Sequence, residues 1–161
     1  MELYILWLVP IAYCIHIIEE TPRFVPWATR YLSAPTTFGQ FILGNLIFMI
    51  YVIVSVFLAT AYPGEWTLVL GLSTAAWIFS NFLIHAFFTL STGEYSPGVV
   101  TAGAVYVPVS VYIYSTALAS GMLSSLDLAA SIALGFSIMY VPTLIQVWRG
   151  KWRYRRGSTA P

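Results

Sequence analysis

Residues 38–62 read FGQFILGNLIFMIYVIVSVFLATAY, 25 residues without one charged side chain. As a helix rising 1.5 Å per residue the run is about 37 Å long, enough to cross roughly 30 Å of bilayer hydrocarbon. Its Ile, Leu, Val and Phe residues are continuous rather than alternating with polar ones. A barrel strand with a polar lumen face is therefore excluded, and the segment reads as a transmembrane helix.

The same reading extends outward along the chain. Asp, Glu, Lys and Arg are missing from Leu3 to Ile18, Tyr31 to Gly64, Trp66 to Gly93, Tyr95 to Leu126 and Leu128 to Trp148, stretches of 16, 34, 28, 32 and 21 residues. The 161 residues are 59% hydrophobic and 8% charged, where a soluble domain has about 25% charged residues. So few charges exclude a water-soluble domain. A lone Cys14 excludes a disulfide scaffold. Cations are dense only in the C-terminal tail, so nucleic acid is not expected as a partner. The fold class is all-α, an integral membrane bundle of about five transmembrane helices near 3–20, 38–62, 66–90, 98–121 and 127–148. Residues 1–148 form the transmembrane domain and 149–161 a basic tail.

Turn chemistry supports these joints. Pro63-Gly64 separates spans two and three, Ser96-Pro97-Gly98 opens span four, and Ser124 to Asp127 supplies an N-cap for span five. Pro10 is expected to kink span one, and Pro22, Pro26 and Pro35 to break the segment after it. The N-terminus carries Glu2 and no basic leader, so a cleaved signal peptide is not expected. Arg149, Lys151, Arg153, Arg155 and Arg156 make the tail cytoplasmic by the positive-inside rule. Five spans then place the N-terminus outside and the loop with Arg23 and Arg30 inside, so all seven cations share one side. Trp27, Trp148 and Trp152 fit an inner aromatic belt, Trp7 and Trp66 an outer one. The expected location is the cell membrane, multi-pass, with lipids as neighbours.

Polar groups within spans are costly and mark function by default. Span one ends His16-Ile17-Ile18-Glu19-Glu20, with His16 and Glu20 at i,i+4 on one helix face and Glu19 about 100° from Glu20. Span three carries Asn81 and His85, also i,i+4. The loop after it supplies Glu94, Tyr95 and the Pro97-Gly98 turn, with Thr101 one turn into span four, whose amides offer an anion-friendly start. Asn45, Thr143 and Gln146 lie toward the same ends of their spans. Both histidines and three of the six acids thus converge on one leaflet, which points to a shared pocket on the cytoplasmic side.

The ordered set His16/Glu19/Glu20, Asn81/His85 and Tyr95/Pro97/Gly98/Thr101 resembles the HXXEE domain family of small integral membrane proteins. The resemblance runs from about Leu3 to Trp148 and implies a membrane protein with enzyme-like residues, but no substrate.

Three chemistries fit. In the first, His16, Glu20, His85 and Glu94 ligate Zn or Fe, Glu19 or Glu20 acts as base, and Asn81 and Tyr95 stabilise an oxyanion, with Asn45 and Thr101 contacting substrate. The protein is then a metal-dependent hydrolase acting on a lipid or other amphipathic substrate. In the second, the same His/Glu pocket works without metal, as an isomerase or a glutamic protease-like enzyme. CAAX-type intramembrane proteases use similar ingredients, but their arginine follows the second glutamate by four residues, whereas Arg23 follows Glu20 by three. In the third, the chain is a transporter or accessory subunit, and homo-oligomers line a path.

Overall fold

The computed structural model of the protein describes residues 2–32 and 36–157, with side chains described as far as Trp148. Pro35 and the side chains of Arg149, Lys151, Trp152, Arg153, Arg155 and Arg156 lie outside the described set. After a 3-10 turn at Leu3–Trp7 come α1 (Leu8–Glu20), α2 (Phe24–Tyr31), α3 (Phe38–Ala61), α4 (Glu65–Thr92), α5 (Val99–Ala119) and α6 (Ser125–Gly157). Five segments are long and apolar enough to cross a membrane: Leu3–Glu20, α3, α4, α5 and Ser125–Trp148 of α6. The described residues contain no strand.

Local chemistry sets these boundaries. At α3, Thr37 Oγ1 accepts from Gln40 N at 3.2 Å while Gln40 Oε1 accepts from Thr37 N at 2.9 Å, a reciprocal capping box. Ser124 caps α6 as expected: its Oγ accepts from Asp127 N at 3.1 Å, and Asp127 Oδ2 accepts from Ser124 N at 3.0 Å. The α4 helix stops at Gly93, whose φ of 68° is the left-handed C-cap conformation.

One proline expectation, that for Pro26, needs correction. Pro10 lies in the first turn of α1, and Pro26 in the first turn of α2. First-turn amides have no intrahelical partner, so a proline there removes nothing. The segment after span one is broken at the turn 21–23, which holds Pro22, and is helical from Phe24 to Tyr31. It is amphipathic, burying Trp27 and Ala28 while Arg30 stays exposed.

The hub is α4, with 61% of its most apolar window buried against 17–39% for the other spans. Glycines set its close approaches: a Cβ on Gly71 would lie 2.6 Å from Ala59 Cβ, and one on Gly135 would lie 2.7 Å from Ala76 Cβ. Small residues at crossings let membrane helices pack without a hydrophobic driving force between them. Polar bonds tie the rest to α4: Tyr51 and Ser73 hydroxyls at 2.7 Å, Ser110 to the Ala75 carbonyl at 2.8 Å, and Tyr114 to the Leu72 carbonyl at 3.1 Å. The α3 exterior exposes Ile42, Leu43, Leu46, Ile47 and Ile50, a face suited to lipid.

Candidate metal centre

Helix periodicity brings His16 and Glu20 onto the face of α1 that meets α4, where His85 projects from its own helix. Glu20 Oε1 lies 3.4 Å from His16 Nε2 and 3.4 Å from His85 Nε2. All three side chains are buried, with relative exposures of 1%, 6% and 3% for His16, Glu20 and His85. Their potential ligand atoms all lie within 4.8 Å of one another, the one such group of His, Cys, Asp and Glu among the described residues. Ligands about 2.0–2.1 Å from a tetrahedral zinc stand about 3.3–3.4 Å apart, whereas neighbouring octahedral ligands at that distance stand about 3.0 Å apart. The two Glu20 edges fall near the tetrahedral value, and the three atoms together lie within 4.8 Å of one another.

Each imidazole is held through its other nitrogen. His85 Nδ1 lies 2.9 Å from Ser96 Oγ, and His16 Nδ1 lies 3.0 Å from Thr101 Oγ1. The Thr101 hydroxyl donates to the Gly98 carbonyl at 3.3 Å, so its oxygen accepts from His16 Nδ1. With Nδ1 carrying the proton, His16 Nε2 presents a lone pair toward the Glu20 carboxylate. His16 Nε2 is buried with no hydrogen-bond partner. Two acceptors set face to face in a buried site call for a cation or a proton between them.

Glu19 turns the other way and closes the start of α5. Its carboxylate accepts from Thr101 N at 2.6 Å and Val100 N at 3.2 Å, and also receives the Tyr95 hydroxyl. The anion expected at this helix start is thus a side chain of the protein itself. Partial burial, and then the bond to Glu19, hold the Tyr95 phenol above its ordinary pKa, so it remains a donor. Gly98, at φ 100°, presses backbone against the centre: a Cβ there would lie 2.5 Å from His16 Cε1 and 3.0 Å from Glu20 Cγ. A π-helical turn at Ala102–Tyr106 follows. Five residues apart, Thr101 and Tyr106 would diverge by about 140° on a regular α-helix. The wider turn absorbs one residue and brings both against His16, the Tyr106 ring at a centroid distance of 4.6 Å.

The centre opens into a cavity of about 420 Å³ walled by α1, α3, α4 and α6, with α2 across its end. Tyr13, Asn45, Phe48, Trp77, Asn81 and Met139 line its depth. Asn45 accepts the Tyr13 hydroxyl at 2.6 Å. Asn81 offers its amide only to the Met139 sulfur at 3.9 Å, and its Oδ1 is buried without a partner. Trp27 stacks over His85 at 6.4 Å.

Several expected roles move. Glu94 is no part of the centre; it is exposed and pairs with Arg30 at 2.9 Å, because its loop position faces solvent rather than the helix interface. Tyr95 is half-exposed and committed to Glu19, so it stands away from any oxyanion position, and Glu19 is committed to the α5 start rather than free to act as a base. Thr101 holds the His16 ring instead of lining the cavity. Trp27 is buried against His85 and Phe88 rather than sitting in an interfacial belt, while Trp66 and Trp148 are exposed as a belt requires. Glu20, Asn45 and Asn81 do line the cavity. Ser96, Tyr106, Tyr13 and Trp27 were not anticipated. Tyr13 stands three residues before His16, a spacing that signals a shared face; Ser96 and Tyr106 carry no such signal, since a loop path and a π-turn place them.

Residues 7–113 match the HXXEE family, described as protein of unknown function with HXXEE motif. The chain belongs to that family. No curated protein and no solved structure compared with the chain matches it. The match covers both histidines, all of the Glu19 contacts and the π-turn, and it ends within α5, before the α6 wall of the cavity.

Proposed function

We propose that this HXXEE protein is a membrane-embedded, zinc-dependent hydrolase acting on an amphipathic substrate at the cytoplasmic leaflet of the cell membrane. The observation that carries the reading is the buried His16/Glu20/His85 group, with both Nε2 atoms 3.4 Å from one carboxylate oxygen. Two imidazoles and a carboxylate are a known catalytic zinc set that leaves a fourth position for water. A zinc ion held by His16, Glu20 and His85 would supply Lewis-acid chemistry, activating a water and polarising a carbonyl. Thr101 and Ser96 fix the two rings, the usual support for ligating histidines. Asn81, one turn from His85, exchanges its weak thioether acceptor for the substrate carbonyl oxygen. In the reaction an ester or amide bond breaks; water supplies the hydroxyl of the acid and the proton of the departing alcohol or amine.

A second reading has one observation in its favour. Among the described residues Glu20 is the only acid lining the cavity, set between two imidazoles, which also suits metal-free proton transfer. Metal analysis of protein purified without chelators separates the two. The zinc reading expects about one ion per chain, lost in His16→Ala, His85→Ala and Glu20→Gln while each variant keeps its helical circular dichroism. Wild-type protein without metal, and unable to take up added zinc, would leave the acid–base reading in its place.

A further inference from the structure

The cavity is closed at one end and open along one side. Across the end that carries the centre, α2 bridges the two flanking helices: Phe24 packs on Phe41 of α3 at 5.0 Å, and Val147 of α6 packs on the Trp27/Ala28/Leu32 cluster. Along the side, α3 and α6 each pack on α4 but scarcely touch one another. Gly44, Asn45 and Phe48 of α3 face Met139, Thr143 and Gln146 of α6 across the cavity between them. The resulting gap looks out at hydrocarbon level, since both helices expose Ile, Leu and Val beside it.

The interior is graded along this gap. The charged and ionisable groups His16, Glu20 and His85 lie at the end with the centre, whereas the large apolar side chains Phe48, Trp77 and Met139, with Tyr13, Asn45 and Asn81 among them, line the part nearer mid-membrane. Trp77 stands eight residues before His85, about 12 Å along the helix axis. The cavity of about 420 Å³ falls in the lower half of the range of roughly 300–1,000 Å³ usual for small-ligand pockets. One chain with its polar group fills such a space; the paired chains of a bilayer phospholipid do not.

We propose that the substrate is a single-chain amphiphile that enters sideways from the bilayer between α3 and α6, its polar linkage reaching His16/Glu20/His85 and its hydrocarbon chain lying against Phe48, Trp77 and Met139. This rests on the reading of the centre as a hydrolytic site, but the entry route is tested separately. Gly44 is the point of control, because it lines the cavity and a Cβ there meets nothing within 4 Å. Gly39 is equally open but lies off the cavity, so it serves as the matched control.

The test uses full-length protein in phosphatidylglycerol/phosphatidylethanolamine vesicles with a diazirine-tagged lysophosphatidylcholine, and the two-chain diazirine-tagged phosphatidylcholine beside it. Labelled positions are mapped by peptide mass spectrometry, and zinc content is measured on the same samples. The one-chain probe is expected to mark Phe48, Trp77 or Met139 several-fold more than the two-chain probe. That labelling falls several-fold in Gly44→Trp and in the milder Gly44→Leu, and persists in Gly39→Trp. Equal labelling by both probes, labelling confined to the exterior positions Leu43 and Ile47, or cavity labelling unchanged by both Gly44 variants overturns the proposal. Cavity labelling that Gly44→Trp blocks in protein without zinc leaves side entry standing and removes the zinc centre; zinc bound with no cavity labelling does the reverse.

Discussion

Glu19 and Glu20 are adjacent, yet about 100° of helix rotation separates their work. Glu20 faces His85 across the α1–α4 interface, whereas Glu19 reaches the backbone amides that begin α5. The second arrangement bears on the first. Thr101 donates its amide to Glu19 and accepts His16 Nδ1 on its hydroxyl, so Glu19 sets the group that orients a ligand. Outer partners of this kind are worth about 10–100-fold in metal affinity. Glu19→Ala is expected to weaken zinc binding by about that factor, read by competition with a chromophoric chelator, with one ion per chain still bound at saturation. Glu19→Gln, which keeps an acceptor oxygen, recovers part of the loss. Wild-type affinity in Glu19→Ala would confine this residue to helix capping. His16 and Glu20 were legible as a pair because i,i+4 spacing on a helix dictates a shared face, and His85 joined them because the polar groups of the spans gather at the same ends. Glu94 and Tyr95 were not, because a loop imposes no periodicity and each side chain took the partner its path offered, Arg30 for one and Glu19 for the other.

At the scale of elements, the spans were legible nearly to the residue, since charge and turn chemistry end helices at the bilayer surface. Less legible was the shape within them. Pro26, read as a breaker, hid a helix after α1, and the turn at Ala102–Tyr106 changes which residues of α5 share a face. Hydrophobic patterning is blind to one extra residue in an apolar helix. The extra residue has a testable geometry. In a regular α-helix, residues four apart diverge by about 40°, so removing one residue from the π-turn leaves Thr101 and Tyr106 on a common side. Deletion of the exposed Ala104 is therefore expected to keep zinc stoichiometry and to hold or raise the melting temperature, as a regular helix replaces the π-turn. Inserting an alanine after Ala104 extends the separation to six residues and is expected to abolish zinc binding. Loss of zinc in the deletion variant, with helicity intact, would show that the π-turn places more than these two side chains.

For the whole molecule, the two ends of the bundle differ in kind. The Arg30–Glu94 pair puts the α2 segment and the α4–α5 loop at one end, the end that also carries the centre. Gln146, near the C-terminal end of α6, lines the same cavity as Gln40 at the start of α3, so the last membrane helix leaves on that side too. Arg23 and Arg30 lie at that end, and the five tail cations follow in sequence after Trp148 of α6, while Glu2, Glu65 and Asp127 stand at the starts of Leu3–Trp7, α4 and α6. Lys and Arg near span ends are retained on the cytoplasmic side, so this charge distribution predicts the cavity at the inner leaflet and the α3–α4 turn at Pro63-Gly64 outside. A C-terminal alkaline phosphatase fusion is expected to be inactive and a C-terminal green fluorescent protein fusion bright, while an epitope inserted at Gly64 reacts with antibody on intact spheroplasts. Neutralising Arg149, Lys151, Arg153, Arg155 and Arg156 to Gln leaves only Arg23 and Arg30 to hold the orientation, and a mixed population with measurable phosphatase activity follows. An active phosphatase fusion on the wild-type chain would invert the bundle, and with it the leaflet from which the cavity draws.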